Sequence, residues 1–127
     1  MITLTFAEVL DAAGVTDPDG LITDLRTVCG INAADCIFEP VTVPMPALEG
    51  WGSDAEAYLL DGDEEGYEKV IGLTDAFMDQ EDVPGIVIGP DLYDPEDMQV
   101  LDGMHRIGAA RQAGVKKMTA YRAIRQP

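Results

Sequence analysis

Basic residues, cysteine and histidine are scarce in this sequence, and the scarcity excludes several classes of site. Its 127 residues include 8 Lys and Arg, 2 Cys and 1 His. The cysteines, Cys29 and Cys36, do not form a CxxC pair, and with one His the chain lacks the clustered ligands of a structural zinc site. We therefore predict two buried, reduced thiols, as is usual in a reducing compartment; a regulatory disulfide between them is the alternative.

Long apolar runs are also absent. No run approaches the length of a membrane span, and the first four residues lack the basic region of a signal peptide. We therefore expect a cytoplasmic protein with no membrane partner. Hydrophobic residues make up 46% of the chain and charged residues 25%, which is typical of a globular domain.

Acidic residues dominate the charge. The chain has 24 Asp and Glu and a formal net charge of −16. All 24 acids lie at or before Asp102, whereas six of the eight basic residues follow it. Because neutralisation of the phosphate backbone dominates DNA binding, duplex DNA is not an expected ligand. The acidity indicates a solvated or salt-adapted surface, or alternatively a face that binds a basic partner as a DNA mimic would.

The most informative stretch is a predicted strand, turn and helix near the C-terminus. Residues 98–101 have the pattern of a short buried strand, and small and apolar residues then recur at helical spacing until Gly114, a predicted C-terminal cap. Asp102 and Gly103 form the turn between them. A helix that begins this way has N–H groups and a positive dipole end that favour an anion.

Four residues at that turn form the predicted phosphate site. Gly103 allows close approach of a ligand to the backbone, Met104 and His105 supply N–H donors, and Arg106 carries a guanidinium whose shape fits phosphate oxygens. The alternative is an ordinary turn in which Arg106 pairs with one of the many carboxylates. The strand, turn and helix context favours the anion site.

The same residues, Asp102-Gly103-Met104-His105-Arg106, together with the Ala-rich helix and the strand pattern from Lys116 to Ile124, resemble the ParB/sulfiredoxin superfamily. This family includes the N-terminal domains of ParB partition proteins, sulfiredoxins, free-serine kinases and phage or plasmid ParB-like nuclease proteins. The resemblance covers roughly residues 36–125. It implies an α/β (α+β) fold in which helices flank a small mixed β-sheet, with a nucleotide at the strand-to-helix turn.

Two departures from the family pattern limit what the resemblance implies. Met104 stands where sulfiredoxins carry their catalytic Cys, which excludes that reductase activity. Lys69 matches a family Lys that contacts nucleotide phosphates, but Gly72 and Ala76 stand at the hydroxyl positions that follow it. The chain also has no room for the DNA-binding domain of ParB proteins, so partition by spreading on DNA is not expected.

The first 35 residues are predicted to be a helical addition packed on a ParB/sulfiredoxin-like domain at 36–127. Thr5 and Glu8 have the spacing of a capping box, and Asp17 followed by proline predicts the start of a second helix. The other predicted elements are a strand at 37–43 whose Pro40 indicates an edge or a bulge, a short helix at 54–60, a helix at 65–78, a strand at 83–89 buried on both faces, and a half-buried strand at 117–124.

The residues are compatible with two functions of different classes. The first is a small enzyme that binds ATP or CTP with Mg²⁺, or another phosphorylated small molecule, and transfers or hydrolyses a phosphoryl group. Its catalytic candidates are Glu39, Asp102 and His105. The second is a non-enzymatic acidic protein, encoded by a phage or mobile element, that binds a basic host protein. No metal ligands can be assigned, because the carboxylates are too abundant to single any out.

Overall fold

The computed structural model describes residues 2–127, which form a mixed α/β protein with five strands and five α-helices. Two short 3-10 helices lie at Ala33–Asp35 and Met45–Leu48. No helix within this described range is long and apolar enough to cross a membrane. In chain order the main elements are β1 (Leu4–Thr5), α1 (Phe6–Ala12), α2 (Pro18–Val28), β2 (Cys36–Pro44), α3 (Ala55–Leu60), α4 (Glu64–Met78), β3 (Ile86–Pro90), β4 (Met98–Asp102), α5 (Met104–Gln112) and β5 (Lys117–Arg125).

The strands form one mixed sheet in the order β1-β2-β5-β3-β4. β3 pairs in parallel with β5, from Ile86 opposite Ala120 to Ile88 opposite Arg122, and antiparallel with β4. β1 pairs antiparallel with the start of β2. Residues 86–89 are all buried, as predicted for a strand covered on both faces.

The chain divides into two compact units. The first, called here the sheet unit, contains the described residues up to 41 together with residues 84–102 and 119–127. The second, the helical unit, contains residues 42–83 and 103–118. The chain passes from the sheet unit to the helical unit between Asp102 and Gly103, which is the predicted turn.

The two N-terminal helices belong to the core of the sheet unit. Val9 of α1 and Leu25 of α2 are fully buried, and they share one apolar cluster with Phe38 of β2, Val87 of β3 and Ala123 of β5. Both free cysteines lie in that cluster. The apolar residues of α1 and α2 are therefore packing residues, as their spacing predicted. The domain boundary at residue 36 stays a prediction.

Local signals placed the helix starts correctly. Thr5 and Glu8 form the complete capping box of α1, and Asp17 caps α2, which begins with Pro18. Asp54 and Asp63 cap α3 and α4 through backbone N–H groups three residues on. Each of these caps depends only on neighbouring residues, which is why the sequence alone predicted the caps of α1 and α2.

Two strand predictions need correction. Residues 98–101 were expected to be a buried strand, but β4 lies at the edge of the sheet and only Val100 is buried, because its outer side has no neighbouring strand. Pro40 was expected at an edge or a bulge; β2 as a whole lies between β1 and β5, but Pro40 is in the part of β2 that β1 leaves unpaired. Its missing N–H is tolerated because β1 is short and pairs only with Ile37 and Phe38, so Pro40 lies beyond that pairing.

Candidate anion-binding site

Gly103 is the N-cap of α5 and adopts a left-handed backbone conformation, with φ of +110°. Glycine accepts this conformation without the strain that a Cβ would cause. Gly103 supplies no side-chain hydrogen bond to the first turn. The other four helices differ, because each is capped by a side-chain oxygen, from Thr5, Asp17, Asp54 and Asp63 respectively.

The predicted phosphate-site residues occupy the first turn of α5, where the sequence placed them. Met104, His105 and Arg106 are half-buried, and Ile107 and the three residues after it are buried. The backbone N–H of Ile107 donates to the carbonyl of Gly103 at 3.0 Å, so helical hydrogen bonding starts at the cap. The first turn is thus partly open to solvent, and the packed part of the helix is residues 107–110.

His105 has an aromatic neighbour that the sequence did not indicate. Its ring stacks on that of Tyr58 in α3, with a centroid distance of 5.0 Å and an angle of 16° between the planes. Burial raises the pKa of the Tyr58 phenol above its usual value of 10.0, and the negative charge of Asp63 raises it further. The phenol is therefore neutral near pH 7, and the stack joins α3 to the first turn of α5.

A loop between β2 and α3 packs closely against α5. Gly108 lies against the backbone of Ser53 so tightly that a Cβ at Gly108 would overlap the Ser53 carbonyl. Arg111, one turn further along α5, donates from Nη2 to the carbonyl oxygens of Leu48 and Trp51, each at 2.9 Å. Arg111 therefore holds this loop. The sequence did not indicate this role, because the two partners of Arg111 lie 63 and 60 residues away in the chain.

Gln112 connects α5 to two other helices of the same unit. Its Oε1 accepts a hydrogen bond from the N–H of Ala55 at 3.0 Å, and its Nε2 donates to Oγ1 of Thr74 in α4 at 3.4 Å. Val70 of α4 and Ala109 of α5 share a small buried cluster. Lys69, on α4, has an exposed side chain. Because α4 and the first turn of α5 both lie in the helical unit, Lys69 belongs to the same unit as that turn.

The two carboxylates proposed as catalytic groups lie in the sheet unit. Glu39 of β2 is 13% exposed and forms an ion pair with Arg122 of β5. Asp102 ends β4, opposite Val87, and is half-buried. Glu39 thus has a structural partner of opposite charge, and its catalytic role and that of Asp102 stay predictions.

The described residues contain no group of three or more His, Cys, Asp or Glu side chains arranged to hold a metal ion. The chain was also compared with protein-family models, curated proteins and solved structures, and none of the three comparisons gave a match.

Proposed function

We propose that this protein binds a nucleotide, or another small molecule that carries a phosphate, at the N-terminus of α5. The observation that carries the proposal is the difference at Gly103: among the five described α-helices, α5 alone has an N-cap residue that supplies no side-chain oxygen. A phosphate oxygen would occupy the position that Asp or Thr oxygens take in the other four helices. The helix dipole favours the negative charge there.

Two cations of the helical unit support the same ligand. Arg106 lies in the first turn and offers a planar guanidinium that matches two phosphate oxygens, and Lys69 on the neighbouring α4 supplies a second positive charge. In a chain with a net charge of −16, an anion needs positively charged side chains near its site to bind. The resemblance of residues 102–106 to the ParB/sulfiredoxin turn is the second line of support.

Mg²⁺-dependent transfer or hydrolysis of a phosphoryl group would be the reaction. A nucleotide would bring Mg²⁺ bound to its phosphates, and the ion would keep several of its waters, as is common for Mg²⁺. Within the helical unit, His105 is the candidate for moving a proton, since it lies in the turn that would bind the phosphate. Its stack on Tyr58 would fix the orientation of the imidazole ring.

The test is isothermal titration of the full chain with ATP, ADP, CTP and GTP, each with Mg²⁺. The variants are Arg106→Ala and, as a matched control, Arg26→Ala, which removes an exposed arginine from α2 in the sheet unit. We expect the wild type and Arg26→Ala to bind one nucleotide alike, and Arg106→Ala to bind about tenfold more weakly or not at all. Binding that Arg106→Ala retains in full would contradict the proposal.

A second candidate rests on the surface charge. Twenty of the 24 acidic residues are exposed. Such a surface suits binding to a basic host protein, with attraction that weakens as salt is added. This function is favoured if no nucleotide binds, and if a basic partner is captured at low salt, released at high salt and insensitive to Arg106→Ala.

A further inference from the structure

A cleft of about 540 Å³ opens in the sheet unit, apart from any residue assigned to the nucleotide site. It lies beside the last residues of β3 and β5, between the end of α2 and the loop that connects β3 to β4. The volume falls within the range of about 300–1,000 Å³ that is typical of small-molecule sites.

The cleft lies at the carboxyl ends of two parallel strands. Parallel pairing of β3 with β5 runs as far as Ile88 opposite Arg122, and β5 continues to Arg125 along the cleft. In open α/β sheets, ligands bind in crevices outside the carboxyl ends of the strands, where the chain leaves the sheet and loops diverge. The position of the cleft therefore agrees with that of a ligand site.

Apolar side chains form most of its wall. Ile31 is buried beneath it, and Pro90, Leu92, Pro95 and Ile124 line it further. Leu92 is 45% exposed, and its backbone N–H donates to the carbonyl of Val28 at 2.8 Å, which fixes the loop at the rim. A ligand would gain affinity by covering this surface, since burial of apolar area is favourable.

Two of the chain's eight basic residues, Arg122 and Arg125, also line the cleft. Each is held by an acceptor within the sheet unit: Arg122 by the carboxylate of Glu39, and Arg125 by the carbonyl oxygen of Gly30. A guanidinium has five N–H donors, so one such bond orients the group and leaves further donors for an anion. The arginines are thus positioned in advance, which lowers the entropy lost on binding.

Asp91 is the one acid among the described residues that line the cleft, and its carboxylate is hydrogen-bonded to its own loop. Its Oδ1 accepts hydrogen bonds from the backbone N–H groups of Tyr93 and Asp94, at 2.8 and 3.0 Å. The lining has two arginines and one aspartate, but the charge of Arg122 is already paired with Glu39, so the cleft has no net positive charge. The cleft therefore combines an apolar wall with one arginine, Arg125, whose guanidinium is held by a neutral carbonyl and not by a carboxylate.

From this combination we infer that the cleft is a binding site for a small carboxylate with an apolar body, such as a short-chain aliphatic acid. Arg125 would bind the carboxylate, and the surface formed by Ile31, Leu92 and Ile124 would cover the aliphatic chain. The site is independent of the proposed nucleotide site, because all the residues that line it lie in the sheet unit.

The test is a titration of the full chain with butanoate, hexanoate and octanoate, followed by NMR or calorimetry. Hexanol tests the need for the charge, and inorganic phosphate tests the need for the apolar body. We expect affinity to rise by about fourfold for each added methylene until the cleft is filled. Hexanol and phosphate should bind at least about tenfold more weakly than hexanoate.

Variants locate the site. Arg125→Ala should weaken hexanoate binding by about tenfold or more, and Arg125→Lys should restore part of it, because Lys keeps the charge but lacks the planar fork. Leu92→Trp, at a partly exposed position on the rim, should block the cleft and abolish binding. Arg26→Ala and Arg106→Ala should bind hexanoate like the wild type, which separates this site from the nucleotide site.

Three results would overturn the inference: hexanol that binds as tightly as hexanoate, folded Arg125→Ala and Leu92→Trp proteins with unchanged affinity, or no binding by any of the three acids. Circular dichroism of each variant shows whether it is folded.

Discussion

The rings of Tyr58 and His105 stack at a centroid distance of 5.0 Å, with their planes 16° apart. The stack brings a residue of α3 against the first turn of α5, which is the turn proposed to bind phosphate. A stacked aromatic neighbour restricts the imidazole ring and removes part of its surface from water. The position of His105 is therefore set by a residue from a distant part of the chain.

A double-mutant cycle measures this relationship. Tyr58→Leu and His105→Ala should each destabilise the protein, with a coupling free energy of about 1 kcal/mol, since aromatic pairs contribute roughly that much beyond buried area. Tyr58→Phe keeps the ring and is the control. Urea unfolding of the four proteins gives the coupling, and a value near zero would mean that the stack does not stabilise the fold.

Gly108 and Gly72 provide a matched pair of helical glycines. A Cβ at Gly108 would overlap the Ser53 carbonyl, whereas a Cβ at Gly72 meets nothing within 4 Å. Gly108→Ala should therefore destabilise the protein by about 2 kcal/mol or more through overpacking. Gly72→Ala should stabilise it by about 1 kcal/mol, because Ala is the better helix former. Thermal unfolding measures both; equal effects would show that the loop does not pack on α5 as described.

Arg111 should contribute more to the free energy of unfolding than an exposed side chain usually does. Its guanidinium bonds to the carbonyls of Leu48 and Trp51, so Arg111→Ala should destabilise the protein by about 1–3 kcal/mol and loosen the loop. Trp51 is the only tryptophan, so its fluorescence reports on that loop directly. Arg26→Ala, the exposed control, should change stability by less than about 0.5 kcal/mol. An unchanged Trp51 emission in Arg111→Ala would contradict this role.

The two cysteines should make stability fall in alkali. Burial raises the pKa of both the Cys29 and Cys36 thiols from 9.0 to about 11. The unfolded chain therefore loses its thiol protons first, so their contribution is intact below about pH 9 and decreases between pH 9 and 11.

Other groups also titrate between pH 9 and 11, so the effect of the thiols is measured by comparing the wild type with a variant that lacks both cysteines. The free energy of unfolding should fall less steeply from pH 9 to 11 in Cys29→Ala/Cys36→Ala than in the wild type. The wild-type thiols should also react slowly with a thiol reagent until urea is added, because they are buried and protonated. Parallel pH profiles for the two proteins, or fast labelling of the native state, would contradict the burial of these thiols.

Much of the local structure followed from the sequence. The capping box of Thr5 and Glu8, the start of α2 at Asp17 and Pro18, and the glycine at the beginning of α5 were all predicted, and the structure confirms them. Each of these features depends on residues within about four positions of one another, so backbone preference and side-chain chemistry decide it without help from the rest of the chain.

The environment of the candidate site did not follow from the sequence. The stack of Tyr58 on His105 and the hydrogen bonds of Arg111 to the loop join residues that are far apart in the chain. The ion pair of Glu39 with Arg122 links residues 83 positions apart. Such pairs leave no periodic signal, because any of many acids or aromatics could have been the partner.

The sequence by itself determined where the five α-helices and four of the five strands form, all but β1 at Leu4–Thr5, and it predicted the strand, turn and helix at Gly103. Only the tertiary structure decided the strand order, which leaves β4 at the edge rather than inside the sheet, and the cleft beside Arg122 and Arg125. The physical reason is the range of the interactions: capping and alternation act between near neighbours, whereas strand order and cavities depend on how distant segments pack together.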